Sequence, residues 1–308
     1  MPLRFIAQRL LQFIPVFFGV TFLSFLLIRA APGDAAHFYL AERGADLSHE
    51  ALAQARRQLG LDKTIAGQYA AYLRAILKGD FGNSYITKEP VSAELKRRFR
   101  VTLLLALATL PAVLLIAFPL GAFCALKHGS AFDKAARALS TILTSLPSFC
   151  VAFLFILIFG AGLRLLPVFG ASTPAHYILP CLTLVISSSA YYTRFIRAAF
   201  IEEFSKEYIK AAKSRGLSLF AIVRSSLKNA MLPVFTSLGM SLASLLGGQA
   251  IIEKIFALPG MGSFLIDAVI KRDYAVVDGC VLLYAALFAC INLCADILCA
   301  YLNPLYEK

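Results

Sequence analysis

Long uncharged runs alternate with polar segments along this chain. Residues 10–28 carry no charge and are rich in Phe, Leu and Val. Residues 101–126 form a second run of 26 uncharged residues. Further runs cover 138–163, 178–192, 230–252 and 276–301, the last with two acids, Asp278 at its start and Asp296 inside it. A helix needs about 20 apolar residues to cross a bilayer. The pattern therefore predicts an all-α, polytopic membrane protein with six transmembrane helices. Pro15, Pro111, Pro119 and Pro147 fall within the runs, a placement that membrane helices tolerate. The fifth run holds Gly239, Gly247 and Gly248, which permit close contact with a partner helix. Ser187, Ser188 and Ser189 interrupt the fourth run and suit close helix packing or a lined passage.

The polar segments predict shorter elements. Residues 48–59 have helical character with Ser48 as a cap, and 65–77 form a second helical stretch. Residues 78–84 are a glycine-punctuated turn, and 91–99 lead back to the bilayer as an amphipathic approach. Residues 253–274 hold a Pro259-Gly260 turn and a short amphipathic helix at 264–270. The stretch 208–233 is polar between two apolar runs. It predicts one short helix over 209–215, a turn at Gly216, and a second helix over 217–230 that stops near Pro233.

Charge orients these elements. Residues 1–9 and 127–137 are basic, and 194–228 hold eight basic residues against three acids, a net of +5. The segment 34–98 holds ten basic residues and eight acids, a net of only +2. Short basic loops stay in the cytoplasm, so both termini and the 194–230 loop are expected there, with 34–98 outside. The loop's cations then serve orientation and docking rather than binding of a solute that arrives from outside.

Composition removes several classes. The 308 residues are 59% hydrophobic and 16% charged, with a mean hydropathy of +0.74, whereas soluble domains carry about 25% charged residues. The net charge of +12 flanks apolar runs instead of gathering on one polar domain, so a nucleic-acid partner is not expected. Seven cysteines lie in or beside apolar runs and none forms a CxxC pair, and the four histidines are scattered. No metal ligand set, catalytic group or nucleotide-binding GxxxxGK[ST] string is visible. Asp296 reads as a packed or water-reached structural acid near the inner end of its helix.

Several strings resemble one family. Ala211, Ala212 and Gly216, followed by Leu232-Pro233, look like the EAA loop of permease subunits in bacterial ABC importers, with Lys210 where the motif's glutamate stands. Arg29 with the 30–34 Ala-Ala-Pro-Gly-Asp turn resembles the start of oligopeptide, dipeptide and nickel permeases. So does the string 256–262, with Pro259, Gly260 and Gly262, and so do Arg272 and Asp273 before Tyr274. The resemblance implies a binding-protein-dependent transport inner membrane component with the type I ABC importer permease fold. It divides the chain into the cytoplasmic N-terminus with the first transmembrane helix (1–30), an extracytoplasmic segment (31–98) and a permease core with five transmembrane helices and the coupling loop 194–230 (99–308).

The same resemblance implies the partners. These are a second homologous permease subunit, two cytoplasmic ATPase subunits that bind ATP and Mg, and an extracytoplasmic solute-binding protein. The chain itself would hold no cofactor and would not be an enzyme. Ala211, Ala212 and Gly216 would dock the ATPase, whose closure moves the flanking helices as rigid bodies. Di- or oligopeptides lead as substrate, with nickel or a metallophore chelate as the alternative, motivated by the segment 37–62. An ion-coupled transporter acting alone would need internal repeats and midplane ion sites, and neither is visible. A membrane assembly protein without a transport path is the other competing class.

Overall fold

The computed structural model describes residues 3–218, 220–227, 229–231, 233–234, 237 and 249–302. Among these the regular structure is helical apart from one isolated bridge between Asn83 and Pro90. In chain order the helices are α1 (Leu3–Ala30), α2 (Ala35–Ala41), α3 (His49–Gln58), α4 (Ile65–Leu77), α5 (Val91–Leu126), α6 (Ala131–Ser145), α7 (Ser148–Phe155), α8 (Ile178–Phe204), α9 (Glu207–Ser214), α10 (Ala250–Ile255), α11 (Met261–Ile270) and α12 (Tyr274–Leu302). A π-helical stretch, Ile156–Gly162, continues α7, and a 3₁₀ turn, Pro174–Tyr177, leads into α8. Leu232, Gly239, Gly247 and Gly248, with most of the fifth apolar run, lie outside the described residues.

Three described helical stretches are long and apolar enough to cross a membrane: Leu11–Ala30, Val91–Leu126 and Tyr274–Ile297. A fourth arises if Ala131–Ser145 and Ser148–Gly162 count as one broken span, bent by 92°. The six expected spans are thus not all seen. The fourth apolar run forms α8, but Ser187–Ser189, Tyr191, Tyr192 and Arg194 dilute its hydrophobicity. The third run is not a single helix over 138–163. Leu146 has ψ 124, outside the helical range, because the ring of Pro147 disfavours helical geometry in the residue before it.

Local chemistry sets the helix starts. Asp34, Ser48, Thr64 and Ser130 each accept a backbone N–H of the first turn, of Ala36, Ala51, Gly67 and Asp133 respectively. The amphipathic approach at 91–99 and the second apolar run are one continuous helix, α5. The first part of the cytoplasmic-type loop is also helix, since α8 runs on to Phe204. Helical backbone is present at 233–234 and 237, and whether the helix over 217–230 ends near Pro233 lies outside the described residues.

The described chain forms two compact units. One comprises residues 103–258 and 290–302. Its core joins Val113, Ala117 and Ala122 of α5 to Val185, Tyr192, Ile196 and Phe200 of α8. Gly121 makes this approach close, because a Cβ there would lie 2.9 Å from the Ile196 side chain and the Thr193 carbonyl. The other unit comprises residues 3–102 and 259–289. Its core joins Ile28, Ala35, Val91 and Leu95 to Met261, Phe264, Val277 and Cys280.

Candidate functional site

The loop after α8 is built on a buried carboxylate. Glu203 accepts from Lys206 Nζ at 2.6 Å, from Asn229 Nδ2 at 3.1 Å and from the Tyr208 hydroxyl. One acid thus ties the end of α8 to α9 and to Asn229, among the helical residues 220–227 and 229–231. The bond to Glu203 raises the Lys206 pKa. Burial, then donation to Glu203, raises that of Tyr208. Ile209 is fully buried and seats α9 from below.

The expected motif residues stand on this base. Ala211 is exposed and Ala212 half-buried. Gly216 is exposed at φ +74, the left-handed geometry that ends α9. The Leu217 N–H donates to the Ala212 carbonyl at 3.2 Å, six residues closing on one, as in a Schellman cap. Ser218 Oγ then accepts the Ala221 N–H at 3.3 Å and starts the next helix. Tyr208, Leu217 and Phe220 leave apolar surface open on this loop, Phe220 at 76% exposure. Lys210 pairs with Glu207 at 2.7 Å on the surface. Pro233 is exposed and stands a helix away from Gly216.

An anchor beneath the loop was not legible in the sequence. Asp133, fully buried on α6, accepts from Arg197 Nε at 2.5 Å and Nη2 at 2.8 Å, and from the Gly129 N–H at 3.0 Å. Arg197 reads as one of the loop's surface cations, yet it reaches 64 residues back along the chain. Nothing in the local pattern marks either residue, since both fall among charges that look solvated.

The outer string forms a second constellation. Gly260 caps α11, where the Met261 N–H donates to Thr102 Oγ1 at 2.9 Å. Pro259 is exposed, while Gly260 and Gly262 are buried. Arg272 donates to the Pro32 carbonyl at 2.5 Å and lies over Gly33. Asp273 accepts from Ser84 Oγ at 2.5 Å, the Tyr85 N–H at 3.0 Å and the Val276 N–H at 3.4 Å, and so caps α12. Burial raises the Asp273 pKa, against the pull of these bonds. Three strings far apart in sequence, 30–34, 78–84 and 256–274, are thereby joined through Arg272 and Asp273.

The serines of α8 do not act alike. Ser187 Oγ turns back to the Thr183 carbonyl at 3.2 Å. Ser188 is half-buried, and Ser189 is buried with no partner for its hydroxyl among the described residues. Ser189 lines a mostly apolar cavity of about 500 Å³ with Ile116, Leu120, Leu139, Ser140 and Thr193. No group of three or more His, Cys, Asp or Glu that could hold a metal occurs among the described residues.

Helices long and apolar enough to cross a bilayer define an integral membrane protein. The family model described as "Binding-protein-dependent transport system inner membrane component" matches residues 117–308, and its N-terminal companion matches 2–106. The chain belongs to this family and is a permease subunit of an ABC importer, not an enzyme. Over 303 residues it is 36% identical to "Glutathione transport system permease protein GsiC" of Salmonella typhimurium (strain LT2) and 35% identical to that of Escherichia coli (strain K12), with 98% of each chain covered. Its fold resembles a chain of the inward-facing MetNI methionine ABC transporter, with a TM-score of 0.60 and 18% identity. That match covers 70% of this chain and 99% of the other.

Proposed function

We propose that this permease carries short peptides, glutathione among them, across the bacterial inner membrane as half of a translocation path. The observation that supports this is the 36% identity to a glutathione permease along 98% of both chains. The nickel reading rests on the segment 37–62. That segment folds into α2 and α3, tied by Arg56 Nη2 to Asp34 Oδ2 at 2.6 Å, with no metal-ligand group among the described residues. Peptide transport stands ahead of it on the identity to the glutathione permease.

In this reading six helices cross the membrane. α8 and the run 230–252 complete the set, and both termini are cytoplasmic. The 1–30, 31–98 and 99–308 divisions serve as membrane anchor, outer segment and permease core. The α9 loop, with Ala211, Ala212 and Gly216, meets one of two ATPase subunits that hold ATP and Mg. The Glu203 network keeps that loop rigid enough to transmit a push into α8. A second permease completes the path, and a solute-binding protein meets the outer face near Pro259 and Gly260. The test is uptake in cells lacking this gene. Labelled glutathione and dipeptide uptake should fall while nickel uptake with added chelators is unchanged. Loss of nickel uptake alone would reject the peptide reading.

A further inference from the structure

Inside the unit formed by residues 3–102 and 259–289, one ion pair has no role in the reading above. Arg29, the only charged residue of the first apolar stretch Leu11–Ala30, donates from Nη1 to Asp278 Oδ2 at 3.1 Å. The two side chains are 12% and 4% exposed. Arg29 Nε also donates to Gln68 Oε1 of α4 at 3.1 Å, and Nη1 to the Phe25 carbonyl at 3.3 Å. Its guanidinium lies 3.4 Å from the Phe25 ring centroid and 4.9 Å from that of Tyr274. The Tyr72 hydroxyl of α4 donates to the Asp278 carbonyl at 3.2 Å. Three helices, α1, α4 and α12, therefore converge on one pair. Asp278 Oδ1 accepts no hydrogen bond among the described residues, so Arg29 is its main source of compensation.

We propose that Arg29 and Asp278 form a latch that holds α1 and α4 to the outer half of α12 as one body. The reason is the cost of opening it. Separation would leave a carboxylate and a guanidinium unpaired among apolar helices, where isolated charges are strongly disfavoured. Only 17% of the apolar window of α1 is buried. Beside the ion pair, Phe22 and Phe25 set their rings against Tyr69 and Tyr72, the Thr21 hydroxyl lies 3.2 Å from that of Tyr69, and Ile28 packs into the core of this unit. The latch also joins the segments matched by two family models, because Arg29 falls in 2–106 and Asp278 in 117–308.

Cys280, fully buried two residues beyond Asp278, is a built-in reporter of opening. The full chain, with its other cysteines replaced by serine or alanine and assembled with its partner subunits, is exposed to a small maleimide. R29M and D278L should each label Cys280 roughly tenfold faster than the parent, because each strands a buried charge. The swap R29D/D278R and the apolar pair R29M/D278L should return labelling toward the parental rate. D278N, close to isosteric and still an acceptor for Arg29, should fall between. Unchanged labelling in both single variants would overturn the latch. So would a swap and an apolar pair that label as fast as the singles. If R29M and D278L fail to accumulate, rescue of accumulation by either double variant supports the latch, and failure of both to rescue overturns it. This readout does not depend on the identity of the solute.

Discussion

Gly216 carries two burdens that substitution can separate. Its φ of +74 places any side chain in the left-handed region, at roughly 1–2 kcal/mol for an L residue. A Cβ built there meets nothing within 4 Å. Gly216→Ala and Gly216→Trp therefore carry the same backbone strain, and the alanine methyl meets nothing in the described chain. If the loop docks an ATPase, Trp should abolish ATP-driven uptake while Ala retains most of it, with both proteins inserted in the membrane. Equal loss in both would reduce Gly216 to a helix stop. Normal uptake by the Trp variant would remove the docking role altogether. The glycine was legible from its place between two amphipathic segments. The carboxylate beneath it was not, because Glu203 follows Glu202 in a stretch that reads as solvated surface, and only the turn after α8 folds Lys206, Tyr208 and Asn229 onto it.

At the level of the helices, α8 is the element that links the apolar interior to the loop. Its charged end, which reads from sequence as loop, is held helical by contact with α6. The Arg197–Asp133 pair fixes that contact, with side chains 14% and 0% exposed. Removing one partner of such a pair costs about 3–5 kcal/mol, because the other charge stays buried. Asp133→Asn and Arg197→Met should each destabilise the detergent-solubilised transporter by that measure, read as a lower thermal midpoint. The double variant Asp133→Leu/Arg197→Met should recover most of the loss. Additive losses in the double variant would show that the two residues do not act as a pair. The break at Pro147 is another element-level feature. Proline tolerance in membrane helices allows either a gentle kink or a full break, and the 92° bend between Ala131–Ser145 and Ser148–Gly162 is what forms.

For the whole molecule, the testable statement is topology. The charge bias of the short loops predicts Ser48 and Ser218 on opposite sides of the bilayer. Both caps are exposed, so single cysteines at these positions in a cysteine-free chain should react with an impermeant maleimide from opposite faces. Reaction of both from the same face would overturn the orientation.

The sequence by itself determined the class of this protein. Apolar run length, loop charge and the spacing of turn residues are local quantities, and a helix in a bilayer satisfies its backbone within one segment. The starts of α3 and α4, the stop at Gly216 and the family resemblance could all be read from neighbours in the chain for that reason. The tertiary structure decided which charges are buried. Arg29 with Asp278, Arg197 with Asp133 and Asp273 with Ser84 are separated by 249, 64 and 189 residues. Asp278 drew no attention beside Asp296, since only packing of α1 and α4 against α12 turns an ordinary acid at a helix start into a buried partner. A charge's environment is set by what folds over it, and that is a property of the assembled helices rather than of the residues beside it.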